Sequence, residues 1–141
     1  MKKKWKIVLL VLLVTSGTTG LYAWKEFNRS HTDTAKLKAA FTYDAMTLVE
    51  EFQKDETKAN AKLNDKVIAL KGSISKIDIS DSTQTVLLGV DESLGAVLCQ
   101  FDASHKDELT KMKEGDAVII KGVCTGMLMD VILTRCALDK P

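Results

Sequence analysis

The chain has 141 residues, 45% of them apolar and 28% charged, and a formal net charge of +1. That length suits one compact domain plus a short extra segment, and that composition excludes a disordered or fibrous chain. The charge is uneven: residues 1–30 sum to +5, residues 31–65 to −2 and residues 66–141 to −2. The bulk of the chain therefore lacks the basic excess of a nucleic-acid binder.

The N-terminus opens with Lys2, Lys3, Lys4 and Lys6, and then Ile7 to Trp24 runs 18 residues without a charge. At 1.5 Å per residue that run is roughly 27 Å long as a helix, close to the thickness of a hydrocarbon core. Trp5 lies at one end, Tyr22 and Trp24 at the other, where interfacial aromatics occur. The pattern predicts a transmembrane anchor over residues 7–24. Residues 1–6 form a cytoplasmic basic flank, which puts the C-terminal domain on the extracytoplasmic (periplasmic) side of the cytoplasmic membrane. A cleaved signal peptide is the competing reading. Against it, Leu21-Tyr22-Ala23 places a bulky residue where a cleavage site needs a small one. No Cys follows the apolar run, so a lipoprotein signal is unsupported.

Residues 25–41 read as a polar linker and a helix start. From Asp33 to Leu63, apolar Leu37, Phe41, Met46, Val49, Phe52 and Ala59 recur at spacings near three and four, which predicts helix. Residues 42–65 are expected to pack as an N-terminal helix on the domain that follows, with Thr42 or Asp44 as a cap.

The remainder alternates with period two. In Lys66–Ser80, Ile68, Leu70 and Ile74 share one parity while Ile77 and Ile79 share the other. That slip predicts a bulge in one long strand. Gln84–Val90 is a second strand and Ala96–Phe101 a third, with Val97, Cys99 and Phe101 in phase. Asp102–Gly115 reads as a short helix with Leu109 and Met112 on its apolar face. Asp116–Cys124 and Asp130–Leu138 are the last two strands. Lys121 and Arg135, assigned to solvent, turn Val118, Ile120, Gly122 and Cys124 inward on one, and Ile132, Cys136 and Leu138 inward on the other. The order of helix, three strands, short helix and two strands predicts a mainly β chain with N-terminal helices. Its core is a five-stranded antiparallel OB-fold barrel over residues 66–141, with a helix between its third and fourth strands. An open α+β sandwich is the alternative.

The segments "EEFQKDETKANAKLNDKVIALKGSIS", "VLCQFD", "LTKMKEGDAVIIKGVCTG" and "DVILTRCAL" resemble the bacterial tRNA-anticodon-like OB-fold proteins, mostly short exported or membrane-anchored proteins. The resemblance covers about residues 42–139 and implies an OB fold. It implies little chemistry, because fold does not determine function.

No catalytic, metal or cofactor site is expected. The chain has neither C-x-x-C, nor H-x-x-x-H, nor G-x-S-x-G, and His31 and His105 read as surface residues. Nucleic acid is a disfavoured partner, because Phe101 is the single aromatic in residues 66–141 and its parity puts it in the core. Cys99, Cys124 and Cys136 all point inward, either as free thiols or with a Cys99–Cys136 disulfide between neighbouring strands. Thr125-Gly126 reads as the last hairpin's turn. If there is a ligand face, it is expected at Thr83, Thr85, Leu87 and Gln100 with the Ser80–Ser82 turn, and at Thr125, Met127, Leu128 and Met129. The Met127–Met129 tip is expected to fold back onto the barrel end or the N-terminal helix, with an apolar contact loop as the alternative.

The resulting expectation is a membrane-anchored, non-catalytic binding or interaction module for a protein, peptide or envelope component. The alternatives are a single-stranded nucleic-acid binder and a structural envelope assembly or stress factor.

Overall fold

The computed structural model describes residues 2–27, 34–91 and 95–139. His31 and residues 92–94, which fall between the second and third expected strands, lie outside them. The chain separates into two units, Met1–His31 and Thr32–Pro141. In the first, a single helix, α1, runs over Lys2–Phe27. Its Thr18 and Thr19 hydroxyls donate to the Thr15 carbonyl at 3.0 and 2.5 Å. Among the described residues no helix is long and apolar enough to cross a membrane. The side chains of residues 9–13, in the apolar run, lie outside that description.

In the second unit, β-branched and aliphatic residues build the long strand on which the barrel is organised. This strand, β2 (Val67–Ile79), pairs antiparallel with β5 (Ala117–Met127) through its first half and with β3 (Gln84–Asp91) through its second. The register shifts between Ile74 and Lys76, where the parity slip predicted a bulge. β3 pairs with β4 (Gly95–Phe101), and β6 (Val131–Leu138) lies between β4 and β5, which closes the barrel. The β4–β6 pair is parallel, so the barrel is mixed rather than antiparallel throughout. The helix between β4 and β5 is shorter than expected: a 3₁₀ turn over Ala103–His105, then α4 (Lys106–Leu109).

The sheet has a sixth strand where helix was expected. β1 (Phe41–Asp44) runs parallel to β2, Phe41 opposite Ile68 and Tyr43 opposite Leu70. Two aromatics around a threonine favour an extended backbone, and the pairing partner that decides the matter is 27 residues away in each case. The expected single helix is also split. α2 (Ala45–Lys54) and α3 (Glu56–Leu63) meet at Asp55, which is extended and whose Oδ1 accepts from Lys58 N at 3.0 Å. A carboxylate that caps the following helix breaks the chain without Pro or Gly. Asp44 caps α2 in the same way, accepting from Met46 N at 3.2 Å.

α2 packs on the barrel through Leu48, Val49 and Phe52, all buried, against a core that includes Ile68, Leu70, Val86, Leu88, Val97 and Leu133. Its first turn sits close: a Cβ on Gly89, whose φ is +50°, would stand 2.9 Å from Met46 Sδ.

β6 departs from strict alternation. The residues turned inward are Val131 and Leu133, not Ile132, and after them Cys136 and Ala137. Arg135 has φ of +51° and forms part of a bulge opposite β5 that resets the parity. Arg135 itself faces solvent, as expected. The hairpin turn also lies further on than Thr125-Gly126. β5 continues to Met127, which pairs with Val131, and the turn is Leu128–Asp130.

Gly122 has no room for a side chain, since its Cβ would stand 2.6 Å from Cys136 Sγ and 3.0 Å from Leu133 Cβ. Gly122→Ala is expected to cost about 1–3 kcal/mol by overpacking. Adding Cys136→Ala, which clears the sulfur, should make the double variant less destabilised than the sum of the two single ones. Urea denaturation of the four proteins measures both.

Candidate functional site

Register determines what the outer face of β3, β4 and β6 presents. Thr85 stands opposite Gln100, and Leu87 opposite Leu98, which in turn lies beside Ile132. Leu87, Leu98 and Ile132 are all half-exposed, so a short aliphatic row crosses three strands. Lys76 and Asp78 extend the two rows onto β2, opposite Leu87 and Thr85. One positive and one negative charge on β2 thus flank these rows, Arg135 is exposed further along β6, and none of the row residues is aromatic.

At one edge lies the β2–β3 turn, where Ser80 Oγ donates to Thr83 O at 2.7 Å. Gln84 follows it fully buried, its Nε2 donating to Ser80 O at 3.0 Å. Gln84 Oε1 has no partner among the described residues, and such a group suits a buried water. Its parity with Val86 and Leu88 was the available signal for this burial.

The β5–β6 turn forms another edge. Asp130 Oδ1 accepts from Ala96 N at 2.9 Å and ties the turn to the start of β4. Thr125 Oγ1 donates to Ile132 O at 3.1 Å. Met127 packs on the core, but Leu128 and Met129 are 84% and 87% exposed. The tip therefore does not fold back as expected. Two large apolar side chains stand free on a turn held at its base, beside the aliphatic row through Ile132.

The three cysteines are buried free thiols, inward-facing as their parity implied. Cys136 Sγ donates to Leu133 O at 3.5 Å, and burial, with the neighbouring Cys99 second, pushes the Cys136 thiol well up. Burial also raises Cys124, against the Gly126 backbone N–H, which lowers it. Raised in this way, Cys124 and Cys136 are poor nucleophiles. Among the described residues no group of three or more His, Cys, Asp or Glu side chains could hold a metal ion.

One cluster was not legible in advance. Lys62 Nζ donates to Tyr43 Oη at 2.7 Å and to Glu51 Oε1 at 2.9 Å. It also lies 5.4 Å from the ring centroids of both Phe41 and Tyr43. The hydrogen bonds from Lys62 and Tyr43 hold the Glu51 carboxyl below its ordinary value. The cluster depends on β1, whose strand character the spacing did not reveal.

A long bulged strand, a helix between β4 and β5, and parallel closure of β4 on β6 define an OB-type barrel. The chain belongs to the tRNA_anti-like family, whose pattern matches residues 1–138. Among solved structures it is similar to a lipoprotein of Klebsiella pneumoniae subsp. pneumoniae MGH 78578 that carries a provisional nucleic-acid-binding assignment. That likeness has 16% identity, 70% of this chain and 91% of that one covered, and a TM-score of 0.59. It is also similar to OBody AM1L10 bound to hen egg-white lysozyme, at 14% identity over 57% of this chain and 85% of that one, with a TM-score of 0.43. The S. pombe Stn1–Ten1 complex is a further neighbour, at 21% identity over 53% of this chain and 59% of that one, with a TM-score of 0.42. At these identities the likeness is one of fold. No curated protein matches.

The Glu51 shift makes a pH prediction. A carboxyl whose value is lowered by folding stabilises fully above its unfolded value, 4.5, and loses that contribution as pH falls through the folded one. Lys62→Met should therefore lower stability at pH 7 and flatten its acid-side dependence, as read from urea midpoints between pH 7 and pH 3.

Proposed function

We propose that this protein is a membrane-tethered, extracytoplasmic OB-fold module that binds a protein or peptide and performs no chemistry of its own. The observation that carries the reading is the outer face of β3, β4 and β6. An aliphatic row of Leu87, Leu98 and Ile132 adjoins the exposed Leu128–Met129 tip, with Thr85 and Gln100 beside it to supply hydrogen bonds. Apolar anchors rimmed by neutral polar groups suit a protein surface. Single-stranded nucleic acid instead needs stacking aromatics and a positive groove. That alternative has one observation in its favour, the half-exposed Phe41 and Tyr43 beside Lys62. A third reading, an envelope assembly or stress factor, calls for the same face held by a stable stoichiometric partner.

Support for the tether comes from the 18 uncharged residues behind Lys2, Lys3, Lys4 and Lys6, from the family match that includes them, and from Thr18 and Thr19, whose hydroxyls are satisfied inside α1. In an oxidising compartment Cys99 and Cys136 would be joined by a disulfide, the two thiols giving up two protons and two electrons to a disulfide-bearing oxidant.

Crosslinking in intact cells, followed by purification from membranes, tests the binding reading. Leu128→Asp with Met129→Asp should abolish the captured partner and leave the thermal transition unchanged. A salt-sensitive shift of single-stranded oligonucleotides, lost in Lys62→Met, would instead support the nucleic-acid reading. Carbonate extraction should leave the full-length chain in the membrane, and a soluble product beginning near Trp24 would overturn the tether. Thiol titration of the denatured exported protein should find one free thiol; three would rule out the bridge.

A further inference from the structure

A groove of about 580 Å³ lies between β2, β5, the end of β6 and Met112 after α4. That volume lies within the range of small-molecule sites. Its walls are aliphatic. Val118 and Leu138 pack on the core and, like Met112 and Ile119, remain half-exposed. Together they leave a contiguous apolar lining uncovered.

The charges at its rim are not equivalent. Asp139 is paired with Lys121 at 3.1 Å, and its backbone N–H is fixed to Ile119 O at 2.9 Å. Lys71, opposite Ile119 in the β2–β5 register, is exposed and makes no ion pair among the described residues. Asp44, its register partner on β1, spends Oδ1 on Met46 N. The groove therefore joins an aliphatic slot to the ammonium of Lys71, which no carboxylate engages within ion-pair distance among the described residues, although the Asp44 carboxylate keeps its charge on the neighbouring strand. Asp116 follows the opposite end of the lining, just before Ala117, and accepts from Lys113 N at 2.9 Å. An anionic head group is thus favoured at the Lys71 end and opposed at the other.

We infer that this groove binds a monoanionic amphiphile with a single aliphatic chain, a long-chain fatty acid. The carboxylate meets the Lys71 ammonium and the chain lies along Ile119, Val118, Leu138 and Met112. A concave slot of this size matches one chain, whereas a protein partner would need a broader surface. The inference stands on the barrel alone and does not depend on which partner the β3–β4–β6 face takes.

The test uses the full chain in nanodiscs of zwitterionic lipid, photolabelled with a palmitate analogue bearing a diazirine on its chain and mapped by mass spectrometry. Adducts are expected at Met112, Val118, Ile119 or Leu138, and unlabelled palmitate should compete them away. Lys71→Glu, at an exposed position, should fold normally by circular dichroism and lower groove labelling roughly five-fold. The matching fatty alcohol should label the groove correspondingly less. Labelling confined to residues 7–24, or spread evenly over the barrel, would overturn the inference. So would alcohol labelling equal to that of the acid, or groove labelling unchanged by Lys71→Glu. A groove occluded by crosslinks to a second copy would assign it to self-association instead.

Discussion

Everything in the barrel depends on β2 serving several neighbours along one strand. Its first half is shared between β1 and β5, and its second half turns to β3. The handover takes place at Ile74. That residue's N–H donates to Asp116 O at 2.9 Å while its carbonyl accepts from Gly115 at 2.7 Å, and it pairs with Leu88 on the other side. A strand that must coil between two directions cannot keep one inward face, so the bulge is a geometric requirement and the parity slip is its imprint. The barrel interior and the seat of α2 follow from that bend.

The sequence made the strands legible wherever a strand has a dry face and a wet one. Val97, Cys99 and Phe101, or Ile120 and Cys124, announce their direction because burial enforces the period of two. Reading failed where the backbone leaves that period for reasons carried by single residues. Arg135 takes a left-handed conformation, which no alternation rule foresees, and so Val131 and Leu133 turn inward in place of Ile132. β1 was hidden because four residues are too few to show alternation, and its parallel partner lies outside any local window. Asp55 ends one helix and caps the next, and the apolar spacing that runs across it gives no sign of that break.

The candidate face shows the same division. Thr85, Leu87 and Gln100 could be assigned to one side because each sits on a regular strand, and the register brings Thr85 against Gln100. The tip could not be read, because whether Leu128 and Met129 fold back depends on the length of β5, which extends to Met127 before turning. The groove at Lys71 was invisible for a further reason: its lining comes from three strands and a post-helical residue, none remarkable alone.

The placement of β6 bears on how the chain reaches this state. It is the last strand in order, yet it alone joins β4, in parallel, to β5. A chain emerging from its N-terminus can form the β2–β3–β4 meander early, from neighbours in sequence. It must then hold two unpaired edges until residues 131–138 arrive, and the parallel pairing carries a long loop-closure cost. Folding is therefore gated by the final strand, and the interval before it docks is when the nascent barrel is most exposed to edge-to-edge association.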